Sequence, residues 1–146
     1  MLGELTSEQI DQVLRAETLG RIGCVADDWP YVVPVTYAYD GEHVYVHSAE
    51  GMKLRAMRAR PAVCFEVEQV RGPRDWRTVI ARGYFEPLWR DVDEYAMKLL
   101  ASRFASTRPS DSTHIDHVQT RSGAPVSRPF LYRIRLLERS GRFESG

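Results

Sequence analysis

The sequence is short of lysine, of cysteine and of net charge. Its 146 residues include 20 basic and 20 acidic ones, which cancel to a formal charge of zero. Surfaces that bind nucleic acid or anionic membranes carry a basic excess, so this balance argues against both kinds of partner. No apolar run approaches the roughly 18 residues of a membrane-spanning helix. The amino-terminal residues show no basic segment followed by an apolar one, so no secretory signal is predicted.

Only two cysteines are present, Cys24 and Cys64. Neither belongs to a C-x-x-C pair, and both lie in apolar strand-like runs. This predicts reduced core thiols in an intracellular, cytoplasmic protein. The length fits one domain spanning residues 1–146. A domain of this size buries about two-thirds of its unfolded surface, so we expect no disulfide or metal to be needed for its stability.

Alternating apolar and β-branched residues dominate the chain, which predicts strands more than helices. We predict six strands, over 22–26, 31–39, 43–48, 62–70, 76–85 and 129–138, and two to three helices, over 7–19, 51–59 and 91–104. Strands and helices do not alternate in βαβ units. The pattern therefore predicts a mainly β protein, a small antiparallel barrel with helices on its outside.

Several local signals refine this prediction. Thr6 and Gln9 have capping-box spacing at the start of the first helix. Asp40-Gly41 predicts a tight turn within a hairpin over 31–48. Pro34 cannot donate to a β-ladder, so we expect the strand to be an edge or to carry a bulge there. Residues 106–128 show little periodicity and are predicted to be a long loop.

The segment 45–53 runs from a strand end, through a loop of small residues, into a helix. A helix amino terminus offers unpaired N–H groups and a partial positive charge. Ser48 adds a hydroxyl, and Lys53, one of only two lysines in the chain, adds a cation that we expect to be exposed. The pattern is compatible with a phosphate site and also with an ordinary capped surface helix that carries a solvated lysine.

Five stretches in order resemble one known family. They are the runs 34–41, 47–48, 51–53, 60–65 and 76–88. Together they resemble the pyridoxamine 5′-phosphate oxidase-like split-barrel flavoproteins, and within them the nitroimidazole-resistance branch. The resemblance implies a six-stranded antiparallel split barrel that forms a homodimer and binds flavin mononucleotide (FMN) at the subunit interface.

The resemblance also implies roles for particular residues. The second predicted strand would lie along the isoalloxazine ring, mostly through its backbone, and the phosphate would be held after the third strand. The fifth strand would contribute from the partner subunit. The residues concerned are Pro34, Val35, Thr36 and Tyr37 for the ring, Ser48 and Lys53 for the phosphate, His47 for flavin or substrate, and Trp76, Arg77 and Thr78 from the partner.

Two departures from the family pattern bear on activity. Met52 stands where the oxidases have an arginine in the phosphate-binding helix, with Arg55 as a possible substitute. The carboxyl-terminal strand lacks the arginine- and tryptophan-containing motif of the vitamin B6 oxidases, which disfavours that substrate. His114 and His117 have the spacing of one helical face but no further ligands nearby, so no metal site is predicted.

The function that we predict is therefore an FMN-dependent oxidoreductase acting on a small organic molecule, with a nitro compound as one candidate substrate. No catalytic residue is assigned from the sequence. Two alternatives remain open at this stage. One is a flavin- or haem-binding module without turnover, and the other is a deazaflavin-dependent reductase with the same fold.

Overall fold

Seven strands and three helices make up the described part of the chain in our computed structural model, which covers residues 1–88, 90–104 and 130–146. In chain order the elements are β1 Leu2–Glu4, α1 Ser7–Ala16, β2 Leu19–Ala26, β3 Trp29–Tyr39, β4 His43–Ser48, α2 Met52–Ala59, β5 Ala62–Gly72, β6 Asp75–Pro87, α3 Arg90–Phe104 and β7 Phe130–Ser145. The predicted loop over 106–128, with both of its histidines, lies outside the described residues.

The strands form one antiparallel sheet that closes on itself. Its order is β1-β7-β4-β3-β2-β5-β6, and β6 pairs in addition with β7. Strands β2 to β7 therefore make a six-stranded barrel, as the sequence predicted. Two features were not predicted: the short β1 on the outer edge of β7, and the extension of β7 to Ser145. The last residues of β7 show no apolar alternation, and they are ordered as a strand because β1 and β6 pair with them from either side.

The barrel interior is filled by every second side chain of the strands, as a period of two requires. Tyr37 and Phe65 meet edge to face at its centre, with ring centroids 4.9 Å apart. Cys24 is buried with them, whereas Cys64 points outward and is exposed. The prediction of two core thiols is thus wrong for Cys64, because it alternates with the buried Val63 and Phe65.

Helix α1 closes one end of the barrel. The predicted capping box is present: Gln9 N donates to Thr6 Oγ1 at 3.2 Å, and Thr6 N donates to Gln9 Oε1 at 2.9 Å. Near the other end of the helix, the buried Tyr37 hydroxyl donates to the Leu14 carbonyl oxygen at 2.7 Å. This bond ties the last turn of α1 to the strand that carries the predicted flavin contacts.

Replacing Tyr37 with phenylalanine removes that bond and changes little else. The Leu14 carbonyl lies in the last helical turn, where no N–H group of the helix is available to donate to it. Leaving it buried and unpaired lowers the free energy of unfolding by about 1–3 kcal/mol, measurable by urea denaturation. Tyr31→Phe is the matched control, since the half-buried Tyr31 hydroxyl has no bond within the described residues. Equal losses in both variants would contradict the assigned role of the bond.

Strand β3 pairs with β4 only over its last three residues. The first eight residues of β3 pair with β2, but pairing with β4 runs only from Tyr39↔Val44 to Tyr37↔Val46. Tyr37 N donates to the Thr18 carbonyl on the β2 side, so alternate residues such as Pro34 direct their backbone groups away from β2. Pro34 thus removes no bond from the β2 ladder. The strand is one-sided at this position, which agrees with the predicted edge.

Helix α3 covers the outer face of β3 and β4. Ala38 and Tyr45 of these strands pack against Ala96 and Leu100 of the helix, and all four side chains are buried. Strand β4 is consequently buried on both faces over most of its length. Its last two residues extend beyond this cover and are only partly buried, and they lie at the point where β3 and β4 separate.

Candidate functional site

The separation of β3 from β4 creates the candidate site. Thr36 and His47 are the next residues of the two strands beyond the last registered pair, Tyr37↔Val46. The side chains of Pro34 and Thr36 are exposed, whereas those of Val35 and Tyr37 are buried in the core. The side chains of Val35 and Tyr37 are therefore closed to a ligand at this place, and their backbone groups face β2; flavin contacts by these two residues stay a prediction. His47 is partly buried on the outer face of β4.

Ser48 ends β4 with its side chain turned into the barrel. It follows Val44 and Val46 in the inward alternation, and its Oγ is buried with no hydrogen-bond partner among the described residues. The neighbouring Tyr132 hydroxyl is in the same condition. Burial raises the pKa of the Tyr132 phenol, and the nearby Ser48 hydroxyl partly opposes this. The hydroxyl of the predicted phosphate ligand Ser48 is thus turned into the barrel, beside the Tyr132 hydroxyl, and the strand alternation was the available signal.

Helix α2 begins four residues later without a cap. Gly51 provides no side-chain bond to the first turn, and that turn contains no acidic residue. The first backbone N–H groups of the helix therefore have no internal partner. A Cβ atom built on Gly51 would meet no atom within 4 Å. The helix amino terminus therefore faces open space, with its partial positive charge uncompensated.

Lys53 lies in this first turn and is half-buried, not exposed as predicted. Burial lowers the pKa of its ammonium group. Within the part of the chain that the structure describes, Lys53 has no ion-pair or hydrogen-bond partner. A partly desolvated cation without an acid beside it is unfavourable unless an anion joins it.

The nearest acid in sequence, Glu50, is occupied elsewhere. Its carboxylate is held by Arg58, with Nη1 at 2.5 Å from Oε1 and Nη2 at 3.2 Å from Oε2. The Arg58 guanidinium also lies 4.8 Å from the centre of the Phe130 ring, at the start of β7. These contacts fix the loop before α2 and leave Lys53 as an unneutralised charge.

A second feature of α2 was only partly anticipated. Met52, Arg55, Ala56 and Ala59 follow one another at helical spacing and line a cleft of about 460 Å³, whose other wall is the stretch 25–28, at the end of β2 and in the turn to β3. Arg55 is exposed and has no acid partner in the described ranges. The i, i+3, i+4, i+7 spacing of small and basic residues was a visible signal, but the wall opposite comes from a distant part of the chain.

The predicted partner-strand residues do not act as one group. Trp76 Nε1 donates to Glu144 Oε2 at 3.1 Å, and Thr78 Oγ1 donates to Glu66 Oε2 at 3.1 Å. Arg77 lies between them and points to the opposite face, as strand alternation requires. Trp76 pairs with Glu144 near the end of β7, whereas Ser48 pairs with Phe130 at its beginning. Within one chain, Trp76 and Ser48 therefore lie beside opposite ends of β7.

The outer face of the barrel next to Pro34 combines an ion-pair cluster, in which Arg21 contacts Glu66 and Glu68, with exposed apolar side chains. One cross-strand row runs from Val32 through Gly23 and Cys64 to Arg82. Val32 is 65% exposed and Ile80, on the same face of β6, is 50% exposed. A hollow of about 670 Å³ lies over this row. Exposed apolar surface of this kind is typical of a protein–protein contact or of a ligand groove.

Among the described residues, no group of three or more histidine, cysteine, aspartate or glutamate side chains is arranged to hold a metal ion. None of the helices in the described ranges is long and apolar enough to cross a membrane.

The chain is similar in sequence or structure to several known proteins. An uncharacterised protein of Rhizobium meliloti is 34% identical over 84 residues, which are 58% of this chain and 56% of that protein. A crystal structure of an FAD-binding protein from Mesorhizobium loti superposes with a TM-score of 0.81 at 29% identity, covering 99% of each chain. The structure of a candidate 5-nitroimidazole antibiotic resistance protein from Bacteroides thetaiotaomicron has a TM-score of 0.73 at 15% identity, covering 98% of this chain and 87% of that one.

The family model described as pyridoxamine 5′-phosphate oxidase matches residues 6–143. This range takes in the six barrel strands, the site at the β3–β4 separation and all three helices. The resemblance seen in the sequence is confirmed at the level of fold and family. The chain belongs to the pyridoxamine 5′-phosphate oxidase family.

Proposed function

We propose that the protein binds a flavin nucleotide through its riboflavin 5′-phosphate part, which is FMN itself in the simplest case. The observation that carries this proposal is Lys53, a half-buried cation without an acid partner at an uncapped helix amino terminus. Helix amino termini with a cation in the first turn are favourable phosphate sites. The open space at Gly51 leaves room for the phosphate oxygens, and the FAD-binding protein from Mesorhizobium loti supports a flavin as the ligand.

The ring of the flavin is proposed to lie along β3 where that strand has lost its β4 neighbour. Backbone groups of Pro34 and Thr36 face this gap, and the exposed Thr36 side chain and partly buried His47 flank it. A bound flavin would supply the electron transfer, and the protein would supply binding, orientation and exclusion of water. Met52 would cover the phosphate from the first turn of α2, and Ser48 would support the loop before α2, with its hydroxyl turned into the barrel. The substrate would be a small organic molecule.

The working unit is proposed to be a homodimer. The exposed apolar side chains Val32 and Ile80 adjoin the proposed ring strand, so a second copy seated there would bury both. The same arrangement would let Trp76 and Thr78 of one chain approach the flavin of the other, which their distance from Ser48 along β7 prevents within a single chain. A sedimentation mass of two chains is the expected result, and a monomer that binds flavin fully would contradict this part of the proposal.

The cellular site is proposed to be the cytoplasm. Cys24 and Cys64 are free and point to opposite faces of the barrel wall, Cys24 inward and Cys64 outward. Such an arrangement of unpaired thiols fits a reducing compartment.

The test is the binding spectrum of the purified protein. Flavin absorption near 370 and 450 nm, in roughly one equivalent per chain, is the expected result (band positions are general to flavins). A Soret band would favour the haem-binding alternative instead. Cofactor-free protein should gain thermal stability with FMN and less with riboflavin, because a ligand that binds the native state must stabilise it. No shift with any flavin would overturn the proposal.

A further inference from the structure

We propose that Tyr132 is a positioning residue for the phosphate site, and that its hydroxyl pairs with the Ser48 hydroxyl to fix the point where β4 turns into the loop 49–51. This inference rests on the proposed function, because it requires a phosphate at the amino terminus of α2. It goes further by assigning a role to a side chain of β7 that is too deeply buried to touch the flavin itself.

The two hydroxyls meet on the inner face of the barrel. Tyr132 is opposite Val46 in the β4–β7 ladder, and Ser48 is opposite Phe130. Val46 and Ser48 follow one another in the inward alternation of β4, so Tyr132 and Ser48 are diagonal neighbours on the same face. An aromatic side chain is long enough to reach a neighbour at this distance. The Tyr132 side chain is fully buried in the core, so its hydroxyl cannot turn to bulk water instead.

Both hydroxyls need a partner inside the protein. Their oxygen atoms are buried, and neither makes an aligned hydrogen bond within the described residues. The Ser48 hydroxyl nevertheless lies near enough to the Tyr132 oxygen to lower the pKa that burial raises. Cys24 is also close to Tyr132, but a thiol is only a weak donor and acceptor. Because a buried unpaired hydroxyl is costly and hydroxyl hydrogens rotate to suit a partner, a small rotation of the two groups pairs them with each other.

This pair lies at the start of the loop that leads to the phosphate site. Ser48 is the last residue of β4, and α2 begins four residues later. The loop is also anchored in its middle, where Arg58 holds Glu50 and lies over the Phe130 ring. Strand β7 therefore holds this segment at two points, through Phe130 in the loop and through Tyr132 at the end of β4.

Loosening the segment at Ser48 should disturb the phosphate contacts and not the ring contacts. The uncapped N–H groups of α2 and Lys53 follow the loop directly, and hydrogen bonds weaken steeply when their distance or angle departs from the optimum. The proposed ring position along β3 is held separately by the ladder with β2. Loss of the Tyr132 hydroxyl should therefore reduce the contribution of the phosphate to binding and preserve that of the ring.

The experiment measures FMN and riboflavin affinities by fluorescence titration of cofactor-free Tyr132→Phe, Ser48→Ala and the double variant. Each single variant should weaken FMN binding about three- to tenfold, as expected for one hydrogen bond, and change riboflavin binding less than about twofold. The double variant should weaken FMN binding no more than the stronger single variant, because both substitutions remove the same bond. Tyr39→Phe is the matched control, since its hydroxyl donates to the Gly41 carbonyl oxygen at 2.9 Å, in the turn at the opposite end of β4. It should leave the ratio of the two affinities unchanged.

The outcomes separate this inference from the proposed function. Equal effects of Tyr132→Phe on FMN and riboflavin, or a double variant whose loss is the product of the two single losses, would overturn the positioning role and leave the flavin site standing. Failure of both flavins to bind the wild type would overturn the proposed function, and this inference with it. Should Tyr132→Phe lose its native circular dichroism, Ser48→Ala decides, and an unchanged ratio of affinities in that variant overturns the positioning role.

Discussion

Lys53→Ala weakens FMN binding about 10- to 150-fold and leaves riboflavin binding within about twofold of the wild type. The range corresponds to the roughly 1.5–3 kcal/mol of a charge-assisted hydrogen bond. Riboflavin lacks the phosphate, so its binding does not draw on the ammonium group. The affinities of the wild type and of Lys53→Ala for FMN and for riboflavin form a thermodynamic cycle. Any general damage to the site weakens both ligands equally and cancels in the ratio of the affinities. Fluorescence titration of cofactor-free protein measures all four affinities.

Replacing Lys53 should not lower the stability of the protein when no flavin is bound. Burial without an anion lowers the pKa of Lys53, so the folded protein holds this proton less tightly than the unfolded chain does. The resulting penalty is present at low pH and is relieved as the pH rises through the lowered pKa of the folded state. Lys53→Met removes the penalty and keeps the apolar stem, so we expect an equal or higher melting temperature without ligand, most clearly below that pKa.

Phosphate binding reverses the preference and should make FMN affinity depend on pH. The bound dianion favours the protonated ammonium, so FMN affinity falls as the pH rises through the lowered pKa of free Lys53. Lys53→Arg should shift that fall beyond the accessible range, because the guanidinium does not lose its proton. Lys98→Ala is the control, since it removes the only other lysine. An FMN affinity unchanged by Lys53→Ala would show that the phosphate is held elsewhere.

Local patterns in the sequence were sufficient to predict most of the barrel. The capping pair Thr6 and Gln9, the turn at Asp40-Gly41 and the alternation along 43–48 each depend on neighbouring residues only, and each is present in the structure. Pro34 predicted the one-sided stretch of β3 for a reason that is also local, the missing N–H group. Such signals do not depend on what packs against the segment.

The features that escaped prediction depend on contacts between distant parts of the chain. The nearest acid in sequence to Lys53, Glu50, is paired with Arg58, which also packs on Phe130 of the distant β7. The cleft exists because the turn at Asp27 and Asp28 faces α2, more than twenty residues later in the sequence. Neither relationship leaves a periodic signal. The sequence therefore indicates a strand end, a loop and a helix over 45–53, as the structure has them, but the burial of Lys53 and the neighbouring cleft follow only from the folded chain.

Gly83→Ala is expected to cause the largest loss of stability in the barrel. A Cβ atom at Gly83 would lie 2.3 Å from the Arg135 carbonyl oxygen and 3.0 Å from Ile134 Cγ2. The first of these is a backbone atom and cannot swing aside. The β6–β7 register also shifts at this residue, so the two backbones approach closely where the barrel closes. Overpacking of this kind lowers the free energy of unfolding by about 3 kcal/mol, or the melting temperature by about 6–12 °C.

Gly72→Ala is the matched control, because a Cβ atom there would meet no atom within 4 Å. It should be neutral or stabilising by up to about 1 kcal/mol, since alanine restricts the unfolded chain more than glycine does. The two variants carry the same chemical change and should move the melting temperature in opposite directions. Because β7 also pairs with the last residue of β4, Ser48, strain at Gly83 should reach the proposed flavin site and weaken any FMN binding there, which Gly72→Ala should not. Equal melting temperatures of the two variants would contradict the prediction, and would show that β6 and β7 can move apart at Gly83 without a loss of stability.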